Sequence, residues 1–178
     1  MKIELVTSGM NVSRLQRSLA EDPELWGENN ARTATPDSPH YGTQDIWCRW
    51  ADYATMQPGG SHVSMWYPAA DKLEDVKWLS EVLMHTMNYD QLGGVLITRI
   101  PPSQQVKPHT DKGWHAGHYE KFAVSIAANE KQAFKFHGEE LVTKPGDVFW
   151  FDNSHEHWVT NESDEARITL IICMRRSH

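Results

Sequence analysis

The stretch Lys144-Pro145-Gly146-Asp147-Val148-Phe149-Trp150-Phe151-Asp152-Asn153-Ser154-His155-Glu156-His157-Trp158-Val159-Thr160-Asn161 decides how this chain folds. Pro145-Gly146-Asp147 is a turn signal set directly before a strand, because proline presets φ and glycine tolerates positive φ. Val148–Phe151 is short, β-branched and aromatic. A polar break follows, and His157–Asn161 opens a second strand of the same kind. Outward from here the texture persists in Val95–Ile100, Phe122–Ala127, Ala133–Phe136 and Ile168–Met174. No helical crossover pattern separates these runs, so the sheets are expected to be antiparallel, with the earlier helices packed outside. The expected class is mainly β with flanking helices, arranged as a double-sheet jelly roll that carries a ligand in its mouth.

The first half reads differently. Lys2–Val6 is a strand candidate. A helix follows from Asn11, with Val12, Leu15 and Leu19 on one face and Asp22-Pro23 at its end. Trp26 to Gln44 is a long polar loop, and a loop of that length in a compact fold is more often functional than idle. Asp45–Trp50 reads as a strand with Ile46, Cys48 and Trp50 on one face. Asp71–Asn88 is the clearest helix: Leu73, Val76, Leu79, Leu83 and Met87 form one stripe, and Asp71 with Glu74 resembles a capping box. Gly93-Gly94 is expected to break the chain before the next element. With no repeat or low-complexity tract, residues 1–178 read as one domain, a helical and loop portion over 1–92 and a β core over about 93–174.

The 178 residues carry 17 Lys+Arg against 24 Asp+Glu, a net charge of −7, which argues against duplex nucleic acid as a partner. Two cysteines are too few for a disulfide scaffold. No basic-then-apolar leader or membrane-length apolar run is present, so the expected location is cytoplasmic, without a membrane partner. The unusual features are 10 His and 8 Trp.

Histidine leads to the chemistry. In His109-Thr110-Asp111, residues two apart on an extended segment point the same way and can reach one ion. A third ligand from a later strand would complete a 2-His-1-carboxylate face of the kind that non-haem iron oxygenases use. Alone the triplet decides little, since roughly 0.6 such triplets arise by chance at this composition. His118-x-Glu120 and His137-x-Glu139 are rivals. The downstream pair His155 and His157 raises its weight, and periodicity does not separate those two histidines. Ten residues past His157, Arg167 opens an otherwise apolar strand. Read as an antiparallel neighbour of the His157 strand, it would reach a ligand bound there and hold a carboxylate bidentately.

With Pro108-His109-Thr110-Asp111 upstream, the segment Phe151–Val159 followed by Arg167 resembles the aspartyl/asparaginyl β-hydroxylase family of Fe(II)/2-oxoglutarate-dependent oxygenases. The resemblance spans about Gly93–Met174. It implies a double-stranded β-helix, or cupin-like jelly roll, with Fe(II) held by His109, Asp111 and His157 as metal and catalytic residues. It implies 2-oxoglutarate as cosubstrate paired with Arg167 and supported by the Thr169 hydroxyl, and O2 as oxidant. The implied reaction oxidatively decarboxylates 2-oxoglutarate to succinate and CO2 while hydroxylating an unactivated C–H bond of an amino acid, a peptide side chain or a related small substrate. Where many members carry an Arg-x-His pair, this chain reads Lys121-Phe122-Ala123. Trp114, His115, His118 and Tyr119 follow the first ligands in a segment able to cover the metal. The alternatives are a cupin metalloenzyme with a three-histidine site (His109, His155, His157) that does not use 2-oxoglutarate, and a non-catalytic jelly-roll binding module.

Overall fold

The computed structural model describes residues 1–177. Its strands are β1 (Ile3–Thr7), β2 (Gln44–Ala51), β3 (Ser64–Trp66), β4 (Gln91–Ile100), β5 (Gln105–His109), β6 (Glu120–Ala127), β7 (Gln132–Phe136), β8 (Glu139–Val142), β9 (Val148–Phe151), β10 (His157–Asn161) and β11 (Arg167–Arg175). The α-helices are α1 (Ser13–Glu21), α2 (Ala69–Lys72), α3 (Val76–Thr86) and α4 (Trp114–His118). None is long and apolar enough to cross a membrane.

All pairings are antiparallel. Seven strands form one sheet in the order β1-β9-β6-β11-β4-β2-β3, and four form a second in the order β5-β10-β7-β8. The jelly roll anticipated from the strand texture is the architecture observed.

Alternation along each strand separates two cores. From the large sheet, Val95, Ile97, Phe122, Val124, Leu170 and Ile172 pack against Leu15, Leu19, Val76, Leu79 and Leu83 of the helices. The opposite face turns inward. There Ala123, Phe149 and Phe151 meet Val106, Phe134, Phe136 and Val159 of the small sheet. Apolar area removed from water at about 25 cal/mol per Å2 makes these two layers the main stabilising term. The inner layer thins where Lys121, Thr169 and Arg167 replace apolar residues, and the cavity lies there.

Three local expectations change. The helix anticipated over Asp71–Asn88 divides into α2 and α3, with Asp75 left-handed at φ 68° between them. The Asp71/Glu74 box does not form, because α1 takes both Glu74 groups: its N–H donates to Ser18 Oγ, and its carboxylate accepts from Arg14. Gly93 and Gly94 lie inside β4 rather than before it. A Cβ on Gly93 would stand 2.9 Å from the Tyr119 ring and one on Gly94 2.7 Å from Trp50, so these glycines admit aromatic rings onto the strand. In β2 the register against β4 slips between Trp47 and Arg49. That bulge reverses the alternation, and Trp50 leaves the Ile46/Cys48 face to pack on Trp47 with ring centroids 4.8 Å apart.

Candidate active site

The first two histidines meet through strand pairing. His109 ends β5, and His157 begins β10 directly opposite it. Their rings lie 4.5 Å apart. In each ring Nδ1 is tied to a backbone carbonyl, His109 to Lys107 O and His157 to His155 O, both at 2.8 Å. With the proton on Nδ1, the Nε2 lone pair of each ring is free for a ligand. Asp111 is held by its own N–H donating to Asn153 O, which brings a carboxylate oxygen 3.5 Å from His109 Nε2. One donor atom from each of His109, Asp111 and His157 lies within 4.8 Å of the others, close enough for a single ion.

Charge in the site favours that use. Burial works to raise the Asp111 carboxyl, but the polar contact with His109 and the Lys121 charge outweigh it and hold it well below the usual carboxylate range. Burial pushes His157 down, toward the neutral form that binds metal. His155 stands apart. Asp152–Glu156 is a turn rather than strand, so the two-residue alternation does not apply, and His155 projects to solvent beside Asp152 at 3.0 Å. The structure therefore brings Asp111, not His155, to the two histidines.

Arg167 arrives by a route that spacing alone does not show. It is not on a strand paired with β10: β10 is in the small sheet, and Arg167 opens β11 in the large one. The connection between them is pinned by Asn161, whose Nδ2 faces the carbonyls of Ile100, Pro101 and Glu165, while its Oδ1 accepts from Ser163. The acidic stretch after Asn161 is thus an anchored crossover, with Ser163 buried. Arg167 faces the triad across the cavity and is 1% exposed. Among the described residues the single polar contact of its side chain is Nη1 to Thr143 Oγ1 at 3.5 Å, and Nη2 has no partner. Burial lowers its pKa to about 10, still charged at neutral pH. Thr169 lines the same cavity two residues on.

Four further polar residues, Lys121, Arg32, His40 and Thr98, line the cavity. Lys121 is buried and donates to Cys173 Sγ at 3.2 Å, its cross-strand partner in β11. Arg32 and His40 come from the long loop before β2. Arg32 is clamped on Asp45 through Nε and Nη2, touches Thr98 Oγ1, and donates from Nη1 to His40 Nε2 at 3.1 Å. The His40 ring meets His109 edge-on at 4.8 Å. Burial, with Arg32 beside it, pushes the His40 pKa down to about 2. Loop length marks this segment as a place for function, but nothing local singles out these two residues.

Trp114, His115, His118 and Tyr119 form α4 and its end, packed over Gly93 and Gly94. His115 is buried and accepts from Gly94 N at 3.0 Å, and Trp50 lies 4.3 Å from its ring. Trp114 stacks on His118. Arg49 and Arg99 are part-buried and cover tryptophans: Arg99 lies 4.3 Å over Trp26, and Arg49 5.3 Å over Trp66.

The family model of the aspartyl/asparaginyl β-hydroxylases matches residues 20–177. The chain belongs to that family. No curated protein sequence matches it. Its hydroxylase-family fold is shared with solved structures at low identity. A prolyl hydroxylase from Trichoplax adhaerens, in complex with a hypoxia inducible factor peptide fragment, aligns at TM-score 0.65 and 10% identity, over 98% of this chain and 83% of that one. A viral collagen prolyl hydroxylase from Paramecium Bursaria Chlorella virus-1, in its 2OG complex, aligns at 0.57 and 11%, over 99% and 97%. A prolyl-4-hydroxylase from Pseudomonas putida aligns at 0.54 and 14%, over 99% and 94%.

Proposed function

We propose that this hydroxylase-family chain is an Fe(II)- and 2-oxoglutarate-dependent dioxygenase that hydroxylates an unactivated C–H bond of an amino acid, a peptide side chain or a related small substrate. One observation carries the reading. A fully buried guanidinium whose Nη2 has no partner among the described residues shares a cavity with two imidazole Nε2 atoms and a carboxylate. A buried, unpaired cation is costly, and an anionic ligand removes that cost. The donor set suits Fe(II), and the guanidinium suits one carboxylate of a dicarboxylic keto acid.

His109, Asp111 and His157 hold the metal, and Arg167 orients the cosubstrate with Thr169 beside it. Bound iron, with 2-oxoglutarate and O2, supplies the oxidising power. The chain contributes placement and dryness. Leu96, Ile100, Val106, Phe134 and Val159 line the cavity with apolar surface, which keeps water from competing for the charged groups. The same lining offers a substrate carbon an apolar seat. No side chain need act as a general base.

The domain extends over the whole chain in this reading. The buried free thiols of Cys48 and Cys173 suit a reducing compartment such as the cytoplasm.

The test is succinate release by purified protein supplied with Fe(II), ascorbate, 2-oxoglutarate and candidate substrates. The wild type is expected to release succinate at least about 100-fold faster than His109→Ala, since loss of a metal ligand removes the reaction centre. Equal rates across the substrate panel would overturn the proposal.

A further inference from the structure

His40 carries a donor that the metal and cosubstrate roles leave unused. Arg32 Nη1 has only hydrogens to offer, so its 3.1 Å contact makes His40 Nε2 the acceptor and leaves the proton on Nδ1. That Nδ1–H is buried and has no acceptor among the described residues. The same logic prevents His40 from being a fourth metal ligand, although its ring abuts His109, because its remaining nitrogen has no lone pair to give. The arrangement is built, not incidental. Arg32 is fixed by a two-point contact to Asp45, which is 1% exposed, and by Thr98 Oγ1. The loop is tied to β5 by Lys107 N donating to Pro39 O. Asp45 neutralises Arg32, so what the network leaves on this cavity-lining ring is a neutral donor, in a cavity that Leu96 and Val106 also line.

We propose that His40 anchors the prime substrate, its Nδ1–H donating to a carbonyl-type oxygen, with Arg32 and Asp45 as positioning residues that fix the tautomer. A free amino acid presents such an oxygen in its carboxylate, and a peptide presents it in an amide. The inference rests on the oxygenase reading for the identity of the cavity, while the hydrogen-bond network stands without it.

Two measurements test it. Nitrogen NMR shifts of the His40 ring in the Zn(II)-loaded protein should report an Nδ1–H tautomer, replaced by a mixture in Arg32→Met. An Nε2–H tautomer in the wild type overturns the proposal. Binding of free L-amino acids and their N-acetyl methylamides to the Zn(II)- and 2-oxoglutarate-loaded protein is then followed by tryptophan fluorescence. Compounds that bind the wild type should weaken at least about tenfold in His40→Phe, and stay within about threefold in His40→Asn, which keeps a side-chain N–H. Response to the free acids alone, or to the amides alone, identifies the source of the oxygen. Unchanged affinity in His40→Phe overturns the proposal. So does a parallel loss of Zn(II) or 2-oxoglutarate affinity, which would mean that His40 only supports His109. Absence of binding by every compound overturns the ligand class. Failure of 2-oxoglutarate to bind the wild type bears instead on the oxygenase reading and leaves the tautomer result intact.

Discussion

Arg167 holds a full charge where the protein gives it almost nothing to bind. A residue kept for stability alone would be apolar there, so function and stability pull in opposite directions at this position. Arg167→Met is therefore expected to raise the stability of the ligand-free protein by about 1 kcal/mol or more, read as a higher urea midpoint at unchanged slope. The same variant should weaken 2-oxoglutarate binding at least about 30-fold, the low end for removing one partner of a buried charged pair. Arg167→Lys keeps the charge but loses the planar fork, and should fall between the two by calorimetry. A variant that lost both stability and affinity would mean that Arg167 is a structural ion and not a ligand anchor.

At the level of elements, β4 shows how backbone space serves the site. Gly94 lets Trp50 lie against the strand and gives its N–H to His115. Gly94→Ala places a methyl 2.7 Å from the Trp50 ring. It is expected to cost about 1–3 kcal/mol by overpacking, measured by urea unfolding. In sequence alone these glycines look like a break, because their use depends on rings that arrive from β2 and the end of α4. The bulge in β2 was hidden for a related reason: a one-residue slip leaves no mark in composition, yet it reverses every later face. What was legible lay close together in sequence. His109 and Asp111 are two apart, so that pair is legible without the fold, whereas His157 and Arg167, ten apart, stand on different sheets and meet at one cavity through the crossover. Arg32, His40 and Lys121 reach the cavity only through long-range packing. Asn161, which aims the crossover between sheets, reads as an ordinary strand end.

For the molecule as a whole, buried neutral histidines set the acid limit. Burial pushes His40 and His115 from an ordinary 6.5 down to about 2. Between those values the unfolded chain binds protons that the native state refuses, so stability is full above about pH 6.5 and falls as pH drops below it. Each such group contributes a slope of about 1.4 kcal/mol per pH unit. His115→Gln, which keeps an acceptor for Gly94 N–H but does not titrate, should flatten the acid limb by close to one proton in pH-dependent urea unfolding. An unchanged limb would show that His115 titrates normally. The two-sheet construction has a different bearing. His157 and Arg167 open successive strands on facing sheets, so under the proposed reading a cosubstrate held between them is measured across the sandwich rather than along a strand. Sheets stack about 10 Å apart, and that spacing then works as a gauge of chain length, selecting among dicarboxylic keto acids by reach.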